Sequence, residues 1–220
     1  MNIVATERPR LLVIAGPNGT GKTTLTDAGL RHAWFAGCEY INPDVIAQQL
    51  GDWNNVQNVL EAAQIATEHR EACLREGRSL AFETVFSSPE KTDFVSRAMN
   101  AGFFIRLFFI GTATPEINAA RVARRILQGG HDVPLRKIIE RWSRSIANCE
   151  KVARFIDRFY LYDNSVDDRE PQLILRAAKG KIVKWYDSDY PAWASQIISS
   201  LERDYMDRFD AFDAHDSIPD

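Results

Sequence analysis

The chain is poor in the residues that mark secreted, metal-stapled or membrane-spanning proteins. It has three cysteines in 220 residues, Cys38, Cys73 and Cys149. They are odd in number and far apart, unlike a disulfide framework or the paired short spacings of a zinc site. Buried thiols in a reducing compartment are the reading that remains. No apolar run approaches the roughly 20 residues that a bilayer-spanning helix needs, and the opening MNIVATERPR lacks the apolar core of a secretory leader. A soluble, cytoplasmic protein with no membrane partner is expected. Excess charge is missing too. Lys and Arg number 27 against 30 Asp and Glu, a net charge of -3, which speaks against a protein that coats nucleic acid. Any anion site must therefore be assembled locally.

What is present is alternation. Short apolar runs at Leu11 to Ala15, Glu39 to Ile41, Ser79 to Glu83, Phe103 to Ile110 and Phe159 to Tyr162 read as strands. Between them, amphipathic segments at Lys22 to His32, Val56 to Glu76, Pro89 to Ala101, Pro115 to Leu127 and Leu135 to Ile156 read as helices. Such alternation predicts an α/β fold with helices on both faces of a mostly parallel, five-stranded sheet. The length suits one domain, with its core at about 10–165. A hairpin from Gln172 to Ala177 and Ile182 to Tyr186 and a helix reaching about 210 are expected at the periphery, followed by an acidic tail at 211–220.

The strongest local signal is Gly16-Pro17-Asn18-Gly19-Thr20-Gly21-Lys22-Thr23. It matches G-x-x-x-x-G-K-[ST] between an apolar run and a helix, the context in which this pattern cradles phosphate. Glycines let the loop turn its amide N–H groups inward around an anion. Lys22 then faces the β and γ phosphates of ATP or GTP, the Thr23 hydroxyl is placed for Mg²⁺, and Thr24 continues the positive end of the helix. The loop alone does not choose among nucleotide-using classes. An N-K-x-D base reader and an L-S-G-G-Q-like signature are both missing, which excludes the usual GTPases and transporter ATPases. A small kinase-like fold remains, and it needs a base near an acceptor hydroxyl and cations over the phosphates.

Candidates for those parts follow the strands. Asp44, in Tyr40-Ile41-Asn42-Pro43-Asp44, lies where open α/β sheets place ligand groups; it reads equally as a helix cap. Glu83 ends the third run, with Thr84 beside it, and either holds the acceptor or a magnesium-bound water, or is a solvated strand end. Arg121 and Arg125 share a helical face ahead of Gly129-Gly130, which would end the helix and hinge a lid. In the next helix Lys137, Arg141, Arg144, Asn148 and Lys151 form one stripe opposite Ile138, Ile139, Trp142, Ile146, Cys149, Ala153 and Ile156. Arg141 and Arg144 can hold a polyanion or simply be solvated. His131 can contact phosphate or cap a helix, and Asn164 in Tyr162-Asp163-Asn164-Ser165 can contact the base or form a plain turn.

Taken together, GPNGTGKTT at 16–24, INPD at 41–44, AFET at 81–84, RVARRILQGGHDVP at 121–134 and YDNS at 162–165 resemble the zeta-toxin family. The resemblance spans about 10–165, and its GGHxVP stretch is similar to the shorter bacterial branch. His131 stands where better-known members have arginine. The resemblance implies a P-loop kinase that uses ATP and magnesium to phosphorylate a hydroxyl of UDP-N-acetylglucosamine or a related UDP-amino sugar. It also implies an antitoxin partner. Carried over by motif, Lys22 and Thr23 would bind ATP and magnesium, Asp44 would be the base, Glu83 would help place the acceptor, and Arg121 and Arg125 would supply charge in the transition state. A nucleic-acid or nucleoside kinase and a nucleotide-gated binding protein with little turnover are the competing readings.

Overall fold

The computed structural model describes residues 8–29, 33–51, 55–127 and 133–201. Their elements run β1 (Arg10–Ala15), α1 (Lys22–Gly29), β2 (Glu39–Ile41), α2 (Pro43–Leu50), α3 (Val56–Glu76), β3 (Leu80–Thr84), α4 (Pro89–Asn100), β4 (Phe104–Gly111), α5 (Pro115–Leu127), α6 (Leu135–Ala153), β5 (Arg158–Asp163), β6 (Gln172–Ala178) and β7 (Lys181–Trp185). A short 3₁₀ turn at Ala192–Ala194 follows, and residues 195–201 are helical.

The strands form one sheet in the order β2-β3-β1-β4-β5-β6-β7. The first five are parallel, and the last two pair antiparallel. The sheet thus has seven strands where five were expected, because the hairpin continues the ladder from β5. Its inner strand is part of the core: Ile174, Leu175 and Ala177 are buried. The motif helices and strands otherwise fall where the periodicity put them, apart from α2, a short helix that only the helix-cap reading at Asp44 implies.

β1 explains why the sheet must be covered on both sides. Leu11, Val13 and Ala15 pack into one cluster with residues of α3, α4, α6 and 193–201, whereas Leu12 and Ile14 pack on the other face with Phe35, Phe108 and Tyr160. An unbroken apolar run is what a two-sided parallel strand requires. The chain leaves β1 for β2 and β3 on one side and for β4 on the other, so a crevice opens beyond the carboxyl end of β1. Gly111 closes β4 because a Cβ there would strike the Trp193 ring, which locks the C-terminal segment onto the site edge of the sheet.

Two features depart from simple patterning. On α6, Asn148 is buried and donates to the Phe86 carbonyl at 3.0 Å, and Ser145 donates to the Val85 carbonyl at 2.7 Å. Asn148 therefore does not belong to the basic stripe, while Ile139, expected on the apolar side, is 44% exposed. Those bonds hold Phe86 in a left-handed conformation (φ 60°), which a bulky side chain adopts only when its surroundings impose it.

The second feature is a row of arginines on the face that carries Leu12 and Tyr160. Arg106 sits opposite Leu12 and Arg158, and Arg176 sits opposite Tyr160. The Arg106 guanidinium lies 3.9 Å from the centre of the Trp34 ring, with its Nη1 buried and unpartnered. Burial, then repulsion from Arg158, Arg10 and Arg176 against the opposing pull of Tyr160, draws it below the usual arginine range.

Candidate functional site

β1 ends at Ala15 and the chain turns at once. Gly16 takes φ 152° and its N–H donates to the Thr84 carbonyl of β3 at 3.2 Å. A side chain at Gly16 would strike the Ile110 carbonyl, and one at Gly21 (φ 83°) would lie 2.6 Å from Asn164 Nδ2. Only glycine lets the loop pass this close to the ends of β4 and β5. Thr20 is buried, its hydroxyl donating to the Pro17 carbonyl at 3.0 Å.

Neighbouring elements grip the loop by its polar groups. Asn118 of α5 is fully buried; it donates to the Asn18 carbonyl and accepts from the Thr112 hydroxyl. Arg141 of α6 donates to Asn18 Oδ1 at 3.4 Å. Asn164, past β5, donates through its side chain to the Thr20 carbonyl at 2.9 Å. Lys22 folds back so that Nζ donates to the Gly16 and Pro17 carbonyls at 3.0 and 2.9 Å. Burial lowers its pKa to about 8, with Arg125 pushing the same way and Glu83 and Asp44 opposing. Glu83, Arg125 and Asp44, three of the expected residues, are thus near enough for their charges to act on the ammonium.

On the other side of the loop a polar chain runs from α1 to α2. The Thr23 hydroxyl donates to Glu83 Oε2 at 3.2 Å, the Tyr40 hydroxyl donates to Glu83 Oε1 at 2.8 Å, and Asn42 Nδ2 donates to the Tyr40 hydroxyl at 3.0 Å. Burial first, then the Glu83 charge, pushes the Tyr40 phenol far above its ordinary range, so it stays a donor. Asn42 is also the cap of α2, its Oδ1 accepting from the Asp44 N–H at 2.9 Å. The cap reading of Asp44 is thereby corrected: the cap is two residues earlier, and the Asp44 carboxylate is exposed in the first turn of α2.

The arginines divide. Arg125 is exposed. Arg121 is only 16% exposed and already engaged: it donates to the Asn164 carbonyl at 2.7 Å and pairs with Asp167 at 2.8 Å, where Arg124 joins at 3.2 Å. These contacts make Arg121 a strut on the flank of the loop, where Gly19, Gly21, Arg121, Arg125, Asn164 and Arg169 line a cavity of about 360 Å³. Arg144 is exposed and paired with Glu140 at 3.5 Å, away from the contacts that Arg141 makes. Thr84, expected beside the acceptor, is buried, and its hydroxyl accepts from the Phe86 N–H at 3.0 Å. Pro17 contributes its carbonyl, and Thr24 is exposed on α1. His131 and the Gly129-Gly130 pair lie outside the described residues.

The donor set suits a hard cation. A hydroxyl and a carboxylate oxygen 3.2 Å apart are oxygen ligands of the kind magnesium takes, with water and phosphate completing its shell. Among the described residues no cluster of three or more His, Cys, Asp or Glu offers an all-protein metal cage, and no helix is long and apolar enough to cross a membrane.

Tyr40, Asn118 and Asp167 escaped sequence reading. Asn118 had a faint signal: a polar residue on the same helical stripe as Val122, four residues on, in a helix with an otherwise apolar inner face.

Known proteins resemble this chain in sequence and in fold. The family described as Zeta toxin matches residues 2–177. An uncharacterized protein of Haemophilus influenzae is 26% identical over 122 residues, covering 56% of this chain and 84% of its own. Among solved structures, one described as the PezAT chromosomal toxin–antitoxin system of Streptococcus pneumoniae superposes with a TM-score of 0.57 at 15% identity, over 92% of this chain and 88% of that one. A chain of the Pnkp1/Rnl/Hen1 RNA repair complex gives 0.53 at 17% identity, over 69% of this chain and 49% of that one. At these identities the structural likeness speaks for the fold.

Proposed function

The chain belongs to the zeta-toxin family of P-loop kinases, and on that footing we propose that it transfers the γ-phosphoryl group of ATP to a hydroxyl of a UDP-amino sugar such as UDP-N-acetylglucosamine. The observation that carries the reading is the glycine loop closed around the Lys22 ammonium, with the Thr23 hydroxyl bonded to Glu83 beside it. One base, one carboxylate for the metal and two cations around a phosphate loop are the parts that phosphoryl transfer requires.

In this reading Asp44 orients the acceptor hydroxyl and takes its proton as the new oxygen–phosphorus bond forms and ADP departs. Lys22 and Arg125 offset the charge that collects on the transferring group. Arg121 and Asn164 form the flank against which the nucleoside rests, and Arg141 reaches the loop from the acceptor side. Thr23 and Glu83 would hold magnesium, which supplies charge neutralisation at the phosphates when bound. An antitoxin partner is proposed on the family ground alone.

The test is transfer of label from ATP, in magnesium, to a panel of UDP-sugars, nucleosides and oligonucleotides, with GTP as competing donor and products identified by mass. Phosphorylated UDP-N-acetylglucosamine is expected; label confined to nucleosides or oligonucleotides, or released only as inorganic phosphate, refutes the acceptor assignment.

A second expectation concerns Lys22. Its free-state pKa of about 8 must rise when an anion faces it, because the anion favours the charged form. ATP affinity should hold constant below about pH 8 and fall as the pH rises beyond it. Lys22→Met should weaken ATP by roughly 10- to 100-fold, the worth of a charge-assisted hydrogen bond, and abolish that pH dependence. Calorimetric titration across pH 6.5 to 9.5 checks both; an unaltered affinity would mean that the loop does not hold phosphate through this residue.

A further inference from the structure

The polar chain Thr23–Glu83–Tyr40–Asn42 has one possible proton order. The Asp44 N–H can only donate, so the atom of Asn42 it meets must be oxygen, and the amide orientation is settled. Asn42 Nδ2 is then a donor, so the Tyr40 hydroxyl accepts from it and has its own proton left for Glu83. Glu83 is acceptor-only when ionised, taking Tyr40 at Oε1 and Thr23 at Oε2. Every proton on this path has a destination. The two ends of the path are the first turn of α1, which carries Lys22, and the first turn of α2, which carries Asp44.

We infer that Tyr40 and Asn42 are positioning residues that tie the base-bearing helix to the phosphate loop, so that Asp44 and the Thr23–Glu83 pair move as one unit. This rests on the proposed active centre. β2 is only three residues long and, among the described residues, pairs with β3 alone, so backbone pairing by itself holds the α2 entrance weakly at the sheet edge. Side-chain bonds crossing from β2 to β3 and on to α1 supply the missing constraint. Tyrosine suits the middle position because its rigid ring sets one hydroxyl at a fixed reach and that hydroxyl both donates and accepts. Neither neighbouring side chain could bridge without it.

Two substitutions cut the chain without removing its ends. Tyr40→Phe deletes the hydroxyl. Asn42→Ser keeps an oxygen to cap α2 but removes the amide donor. In the full chain each should lower phosphoryl transfer from ATP to UDP-N-acetylglucosamine by about tenfold, the worth of one hydrogen bond. The effect should fall on kcat with ATP affinity near wild type, and the melting temperature should drop by no more than the loss of one hydrogen bond implies. The double variant should be hardly worse than either single one, since both cut the same link. Independently of turnover, hydrogen exchange should quicken in residues 22–26 and 43–47 together in each variant.

Exchange that quickens in only one segment, additive losses, or a fall in melting temperature with kcat unchanged overturns the inference in favour of ordinary packing. Asp44→Asn separates the two levels of the argument. If it is inactive while Tyr40→Phe and Asn42→Ser turn over like wild type, the coupling is wrong and the active centre stands. If all three turn over normally, the active centre itself is misassigned.

Discussion

Asp44→Asn is expected to slow phosphoryl transfer by about 10² to 10⁴, the usual cost of losing a positioned general base. ATP affinity and melting temperature should hardly move. The expectation is sharp because the structure separates two roles that adjacent polar residues often share. Asn42 caps α2 through its side chain, so Asp44 contributes nothing to that cap beyond a backbone N–H that any residue would supply. Its carboxylate is exposed at the site edge and is felt at the Lys22 ammonium. Asp44→Ala should therefore be as inactive as the asparagine variant and as stable as wild type to within the few tenths of a kcal/mol that a first-turn acid adds at a helix N-terminus. The same assay on Asn42→Ala provides the contrast, since that change removes the cap and should cost about 1 kcal/mol. A fully active Asp44→Asn enzyme would take Asp44 out of the mechanism.

Arg125→Ala is expected to lower turnover by roughly 10³ to 10⁵, the range for an arginine that meets charge formed during transfer, and to leave ATP affinity within a fewfold of wild type. Arg121→Ala should behave differently. Arg121 braces Asn164 and pairs with Asp167 on the wall of the 360 Å³ cavity, so its loss should weaken nucleotide binding more than it slows the chemical step. Steady-state kinetics with varied ATP separates the two: Arg125→Ala in kcat, Arg121→Ala in KM. Equal kcat losses in both variants would restore the simpler picture in which the pair acts together over the phosphates.

That division could not have been read from the sequence, and the reason is physical. Arg121 and Arg125 lie four residues apart, which places them on one helical face but does not say what that face meets. The partner that captures Arg121 is Asp167, 46 residues away in the chain, and no local pattern announces it. The loop was legible because its pattern is local: the glycines, the lysine and the threonine fall within one short stretch, 16–23. The parallel sheet was legible for a similar reason, since doubly covered strands such as Leu11 to Ala15 need unbroken apolar runs. The hairpin was harder. β7 is largely exposed, as a peripheral ribbon would be, and only the burial of its neighbour β6 shows that the sheet continues through it. Asn148 failed for a related reason: it is polar, so helical periodicity assigned it to the wet side, whereas the strained turn at Phe86 required a donor from below.

The row formed by Arg10, Arg106, Arg158 and Arg176 has a consequence for how the protein responds to its ionic surroundings. Neighbouring strands are about 5 Å apart, less than the roughly 8 Å over which physiological salt screens charge, so these side chains repel one another in the folded state and are relieved on unfolding. Added salt mutes that repulsion and firms the fold. The same salt competes with nucleotide for the cations around the loop. Potassium chloride should therefore raise the melting temperature while it lowers the affinity for ATP, and the concentration at which the protein is sturdiest will not be the one at which it holds its nucleotide best.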